Sequence, residues 1–235
     1  MTYSYTQISQ YLRCPRSYRY RYLDGWREKD TRAAMVFGRC FETALGAYFR
    51  REDPSAVLFK EWGAFRDTAF EYKKGDSWDR LVHQGVHLLQ KFVQDDRVRI
   101  SRPQENLQVK MLRTLTGSNE FVAYIDALGI LDGREYLIDW KTTTARYPEE
   151  PEGLLTLDPQ LICYSWISGI SDVALVVFVR KQLPEIQYLK ASITEEQRLS
   201  CAHLGLCLND KKMVDVNLIR RPGASDLDWL NELTD

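Results

Sequence analysis

The stretch EFVAYIDALGILDGREYLIDWKT, residues 120–142, decides how this chain is read. Two β-rich runs, Glu120 to Leu131 and Glu135 to Thr142, flank the dipeptide Asp132-Gly133, which is a strong short-range signal for a two-residue hairpin. With that loop, Leu131 pairs with Arg134, and stepping outward residue by residue sets Asp126 opposite Asp139. Facing residues have Cβ atoms about 4.5–5.5 Å apart, a span that a divalent cation bridges between two carboxylates and that bare carboxylates resist. Asp126 is expected on an apolar face with Val122, Tyr124, Leu128 and Ile130, while Leu137, Asp139 and Lys141 share a side of the partner strand. A buried carboxylate must be paired or take up a proton. A salt bridge of Lys141 with one aspartate is the plain alternative, and it leaves the other aspartate unexplained.

Working outward, Thr6 is expected to cap a helix to about Arg13, and Pro15 to open a second through Leu23, ended by Asp24 and Gly25. Helical patterns follow over 35–50, about 55–73 and about 78–94, the second on the spacing of Trp62, Phe65, Ala69 and Tyr72. After Pro103 the period becomes that of a strand, from Leu107, Val109 and Met111 to the turn-forming Thr116, Gly117, Ser118 and Asn119. Beyond the hairpin, Asp158 and Pro159 open a helix ending near Gly169. Strands Ala174–Val179 and Ile186–Ala191 follow, then a final helix from about Thr194. The expectation is one α/β domain with a mixed central sheet over residues 1–235. Residues 1–100 are mainly helical, 104–192 form the sheet core, and 194–235 a C-terminal helical tail.

Of 235 residues, 44% are hydrophobic and 28% charged, an ordinary globular composition that excludes collagen-like or wholly disordered chains. No apolar run reaches the roughly 18–20 residues that cross a bilayer, and the start lacks the apolar core of a signal peptide, so a cytoplasmic protein without membrane contact is expected. The five cysteines, at 14, 40, 163, 201 and 207, form no CxxC pair and read as buried free thiols. With 32 basic against 33 acidic side chains the net charge carries no nucleic-acid signal. Its distribution does. Arg13, Arg16, Arg19, Arg21, Arg27, Lys29 and Arg32 are interleaved with Tyr11, Tyr18, Tyr20, Tyr22 and Trp26, a pattern suited to phosphates and stacked bases. The competing reading is a helix with an aromatic core face and a solvated basic face.

Two further positions join the carboxylate pair. Glu42 lies on the inward helical stripe Gly38, Glu42, Leu45, Phe49, and Gln160 and Tyr164 are four apart on one helix face.

The ordered set Gly38-x-x-x-Glu42, Asp126, Asp139-Trp-Lys141-Thr-Thr and Gln160-x-x-x-Tyr164 resembles the PD-(D/E)XK nuclease superfamily, most of all its RecB-like branch of CRISPR-associated exonucleases and recombination nuclease domains. The N-terminal SYTQISQYLRCPRSYRYRYL is similar to that branch's opening helix. The resemblance implies an αβββαβ nuclease core flanked by N-terminal helices. It implies that Glu42, Asp126, Asp139 and the Trp140 carbonyl ligate Mg²⁺ or Mn²⁺, that Lys141 orients or activates the attacking water, and that Gln160 and Tyr164 contact the substrate strand or brace the site. Many RecB-like nucleases have histidine where this chain has Glu42, a departure that bears on metal number and preference. Some relatives hold an iron–sulfur cluster with the cysteine matching Cys14 and three C-terminal ones. Here only Cys201 and Cys207 stand near the end, so no cluster is expected.

The expected activity is metal-dependent hydrolysis of DNA phosphodiesters, exonucleolytic and serving recombination, repair or phage- or CRISPR-type processing. Arg16 and Arg19 are expected to help hold the substrate, and the sequence permits a protein partner in a larger DNA-processing complex. The rival expectation is a catalytically weak or inactive nucleic-acid-binding subunit of such a complex.

Overall fold

The computed structural model describes residues 2–26, 32–100, 107–115, 119–148 and 152–199. Its N-terminal part contains β1 (Thr2–Ser4), α1 (Tyr5–Arg13), α2 (Pro15–Tyr18), a π-helical turn (Arg19–Leu23), α3 (Ala33–Phe49), α4 (Pro54–Gly63) and α5 (Trp78–Asp95). The strands β2 (Val98–Ile100), β3 (Val109–Thr114), β4 (Glu120–Ile125), β5 (Ala127–Leu131) and β6 (Arg134–Thr143) follow, then α6 (Glu152–Thr156), α7 (Pro159–Ser168), β7 (Asp172–Val179) and β8 (Glu185–Ser192). Residues 195–199 begin the expected last helix, and the remainder of the tail, with Cys201 and Cys207, lies outside the described residues. Arg27 and Lys29 also lie outside them. Among the described residues no helix is long and apolar enough to cross a membrane.

The fold is mixed α/β, as expected, but the strands divide into two sheets, ordered β1-β4-β3 and β2-β5-β6-β7-β8. Asp132 and Gly133 both have positive φ, 51° and 84°, the backbone a type I′ hairpin needs, and Leu131 pairs with Arg134 as the turn dictates. The ladder runs outward only to Ala127 opposite Ile138. The expected pairing of Asp126 with Asp139 is therefore not made. At Asp126 the chain bends, and β4 leaves to pair with β3 and, in parallel, with β1. The face assignment changes for the same reason. Tyr124 and Ile130 are 45% and 39% exposed, whereas Phe121, Ala123, Ile125, Ala127 and Leu131 are buried. Val122 of the expected apolar face is buried, at 7% exposed, so that face is kept in part, and Asp126 itself sits at the bend between β4 and β5.

The strand β6 continues past this break through residues 139–143, paired there on its other edge with β7, in parallel, across the α7 crossover. Alternation along the two strands feeds two cores. Tyr136, Ile138, Trp140, Ala174, Val176 and Phe178 pack toward α3, α4 and α5, among Phe37, Phe41, Leu45, Trp62, Leu88 and Phe92. Leu137, Val173, Leu175 and Val177 pack on the opposite side with Ile125, Leu161, Tyr164 and, from the N-terminus, Tyr3 and Ile8.

Three local details depart from the expectations. The first cap is Ser4 rather than Thr6, in a capping box in which Ser4 N–H donates to Gln7 Oε1 at 2.7 Å and Gln7 N–H to Ser4 Oγ at 3.4 Å. The helix expected over 55–73 stops at Gly63. Phe65, Phe70 and Tyr72 return through turns, Phe65 and Phe70 packing on Trp62 with ring centroids 6.2 and 5.5 Å away and Tyr72 on Phe70, so the spacing of Trp62, Phe65, Ala69 and Tyr72 is not a helical stripe. Finally, β1, β2 and α6 are elements too short to carry a periodic signal.

Candidate active site

The site forms where β6 outruns β5. The Trp140 N–H, left without a strand partner on that edge, donates to Asp126 Oδ2 at 3.0 Å, so the carboxylate takes the place of the next ladder residue. Asp139 is 3% exposed, and Lys141 Nζ lies 2.6 Å from its Oδ2. That contact pairs the one buried carboxylate directly with the one ammonium of the site. The Trp140 ring points the other way, into the aromatic cluster of Phe49, Phe92 and Phe178. Glu42 enters from α3, half-buried. Gly38 precedes it by one turn, and there even a Cβ would stand 3.6 Å from Thr142 Oγ1 on β6.

The electrostatics bind these groups together. Burial, then the charges of Asp139 and Glu42, push Asp126 up to about 7 against the opposing Trp140 N–H and Lys141. Burial and the Asp139 charge raise Glu42, with Lys141 opposing. Burial also raises Asp139, partly countered by Lys141. Burial works against the Lys141 ammonium, but Asp139 and Asp126 outweigh it and hold its pKa above the ordinary value. Three carboxylates that resist ionising together beside one lysine form a donor set of hard oxygens suited to a divalent cation. No group of three or more His, Cys, Asp or Glu side chains among the described residues is drawn close enough to hold a metal ion as it stands.

On α7, Asp158 caps the helix by accepting from Gln160 N–H at 2.8 Å, and Gln160 Nε2 donates to the Tyr164 hydroxyl at 2.6 Å. Tyr164 is 7% exposed. Burial raises its pKa, the Gln160 bond opposes this, and the charges of Asp126 and Asp139 add to the rise, which puts the phenol within electrostatic reach of the carboxylates. Asp158 and Tyr147 were not singled out from the sequence. The Asp158 charge acts on Asp139 and that of Tyr147 on Lys141. Asp158 was legible only as a helix opener, and Tyr147 had no signal.

The structure therefore brings Glu42, Asp126, Asp139, Lys141 and Tyr164 into one electrostatic group, with Gln160 bonded to its edge. The contacts seen for Arg16 and Arg19 are local instead. Arg16 Nε donates to Tyr20 Oη at 2.9 Å, and Arg19 Nε lies 3.4 Å from Asp24 Oδ2. Of the elements that precede them, β1 and α1 supply Tyr3 and Ile8 to a cluster with Leu161 and Tyr164 of α7. Cys14 is exposed and serves α2 as its cap, against the expectation of burial, while Cys40 and Cys163 are buried and in no disulfide.

Comparison with known proteins agrees with this geometry. No curated protein matches the chain. A solved structure from Eubacterium rectale, provisionally named an exonuclease, superposes with a TM-score of 0.54 at 11% identity, covering 97% of this chain and 87% of that one, and so shares the fold. A second, SSO0001, reaches a TM-score of only 0.31 at 13% identity over 86% of this chain and 84% of that one, and carries no argument. The family model of the PD-(D/E)XK nuclease superfamily matches residues 2–175, a span that takes in Glu42, Asp126, Asp139, Lys141, Gln160 and Tyr164, and the chain belongs to that superfamily.

Proposed function

We propose that this protein is a divalent-metal-dependent DNA nuclease of the RecB-like type, cleaving as an exonuclease in recombination, repair or phage- or CRISPR-type DNA processing. The observation that carries the reading is the cluster of Glu42, Asp126 and Asp139, each with a raised pKa, around the single ammonium of Lys141. The three carboxylates and the Trp140 carbonyl would hold Mg²⁺ or Mn²⁺. Bound there, such an ion polarises a phosphate and lowers the pKa of water. Lys141, kept charged by Asp139, orients the attacking water and stabilises negative charge developing on the phosphate oxygens. Gln160 locks the Tyr164 hydroxyl by a 2.6 Å bond, so that hydroxyl is a pre-positioned donor for the scissile strand. Arg16 and Arg19 hold the DNA backbone away from the reacting centre.

Asp139→Ala tests the assignment. It removes a charge from a repelling cluster, so turnover on DNA is expected to fall at least about a hundredfold while the thermal transition stays at or above that of the wild type. Wild-type turnover in this variant would overturn the reading.

A second reading is favoured by one observation, the absence among the described residues of a ready three-ligand group. On that reading the chain is a weak or inactive DNA-binding subunit of a larger complex. Turnover measured with Mg²⁺, with Mn²⁺ and with EDTA separates the two: the first reading requires metal-dependent cleavage, the second binding without it.

A further inference from the structure

The strand register lines up a row that begins at the site and runs away from the carboxylates. Lys141 of β6 pairs with Val177 of β7, and Val177 with Gln187 of β8, so the three side chains stand on one face of the sheet. With neighbouring strands about 4.8 Å apart, Gln187 lies about 10 Å along that row from Lys141. Asp126 approaches β6 from the opposite edge, through the Trp140 N–H. In strand order, Lys141 thus stands between Asp126 and Gln187.

The chain after β6 folds back across β7 to the end of this row. Ala145 N–H donates to Thr143 Oγ1 at 3.2 Å, and Arg146 Nε lies 2.9 Å from Glu185 Oε1 on β8. Gln187 then holds Tyr147 by both main-chain groups. Tyr147 N–H donates to Gln187 Oε1 at 2.9 Å, and Gln187 Nε2 donates to the Tyr147 carbonyl at 3.2 Å. Gln187 is 8% exposed, so this amide makes both bonds away from competing water. Such a clamp is indifferent to the side chain at 147; what it fixes is where that side chain starts and which way it leaves.

The Tyr147 ring is half-buried and packs against the cluster of Leu161, Tyr164 and Val177, on the Lys141 face of the sheet. Its charge acts on Lys141, which puts the hydroxyl within electrostatic reach of the ammonium. Yet that hydroxyl makes no hydrogen bond among the described residues, and it is not one of the polar atoms sealed from solvent. Tyr164 differs, being buried and bonded to Gln160. A phenol O–H that is held in place, reachable and unengaged beside an ammonium is a donor for a phosphate oxygen.

We propose that Tyr147 contacts the bound DNA strand, its hydroxyl donating to an oxygen of the phosphate next to the one being cut, with Gln187 as the positioning residue that sets its backbone. This rests on the nuclease reading of the site. The neighbouring phosphate is assigned because Asp126 and Tyr147 flank Lys141 from opposite edges of β6. A contact away from the reacting centre holds the ground state and the transition state alike, so it acts on KM rather than on kcat.

Tyr147→Phe keeps the ring and removes the hydroxyl. KM for an oligonucleotide is expected to rise about three- to tenfold, the effect of losing one hydrogen bond, with kcat within about twofold and the thermal transition unchanged. The dissociation constant should rise by the same factor. It is read by fluorescence anisotropy of a labelled oligonucleotide with Ca²⁺, which oxygen ligands accept without the strict octahedral geometry of Mg²⁺. Gln187→Leu should raise KM as much and add nothing in the Tyr147→Phe background. Because Gln187 is buried, Tyr147→Phe decides alone if that variant fails to fold. Wild-type KM and affinity in Tyr147→Phe overturn the proposal, and a loss that appears only in Tyr147→Leu overturns it in favour of ring packing. A loss confined to kcat also overturns it, since the hydroxyl would then act in the chemical step. The nuclease reading is judged separately: it falls if the wild type does not cleave with metal, and the anisotropy comparison still decides the role of Tyr147.

Discussion

Asp126 occupies the bend where β4 leaves one sheet and β5 enters the other, and its carboxylate accepts the Trp140 N–H that the ladder no longer uses. A carboxyl group raised from 3.8 to about 7 binds its proton more tightly folded than unfolded. Between those values the native state holds the extra proton, so stability falls as pH rises through that window. Glu42 and Asp139 are raised as well and act in the same direction. In EDTA the protein is therefore expected to melt at a higher temperature at pH 5.5 than at pH 8. Asp126→Asn retains an acceptor for Trp140 while removing the charge. It should raise stability at pH 8 by about 1–2 kcal/mol and flatten the pH profile, as read by thermal melts across pH. An unchanged slope would mean the carboxylates do not repel as argued. Glu42 makes a separate claim. An oxygen ligand favours hard cations, and an imidazole would relax that preference, so Glu42→His should keep some turnover but shift it toward Mn²⁺, while Glu42→Ala should lose most turnover in both metals. Turnover against metal concentration for each variant decides this, and a wild-type response of Glu42→Ala in Mg²⁺ would make Glu42 merely a helix residue.

At the scale of elements, the position of Glu42 depends on how α3 is wedged. Gly85 of α5 meets Phe37 and Leu58 so closely that an added Cβ would lie 2.7 Å from atoms of both. Phe37 is fully buried and immediately precedes Gly38 on the turn that leads to Glu42. Gly85→Ala gains up to about 1 kcal/mol of helix propensity but faces about 1–3 kcal/mol of overpacking. A net loss of stability in denaturant titrations is expected, with a lower apparent metal affinity where α3 shifts. Unchanged stability would show that Phe37 and Leu58 yield freely. The same scale explains what the sequence disclosed. The hairpin was legible because Asp132-Gly133 states its turn chemistry in two residues, and α7 because Asp158, Pro159 and Gly169 mark both its ends. The switch of sheets at Asp126 was not, since no local residue type signals that a strand changes partners. An alternation rule carried across the bend thus mispaired the two aspartates and misassigned Tyr124 and Ile130. The order of Glu42, Asp126, Asp139 and Lys141 was readable. The electrostatic part played by Asp158 depends on α7 crossing over β6, which is a tertiary fact.

For the molecule as a whole, 32 basic side chains balance 33 acidic ones, so no long-range field draws a polyanion to it, and the proposed function requires that local clusters supply the affinity for DNA. The N-terminal helices are the candidate, because they interleave arginines with tyrosines. The two arginines at issue are not idle on the surface. Arg16 spends one N–H on Tyr20, and Arg19 leans on Asp24 at 3.4 Å with side-chain exposures of 29% and 22%. A half-exposed pair of this kind contributes at most about 1 kcal/mol, so replacing both arginines should leave the fold intact. Each phosphate contact, by contrast, releases counterions and contributes about one unit to the slope of log K against log salt. Arg16→Ala with Arg19→Ala is therefore expected to weaken DNA binding several-fold at low salt and to reduce that slope by about 1–2 units, with thermal stability within about 1 kcal/mol of wild type. The measurement is fluorescence anisotropy of a labelled oligonucleotide in EDTA across a salt series, which removes cleavage from the readout. Parallel salt curves for variant and wild type would return the segment to an aromatic core face with a solvated basic edge.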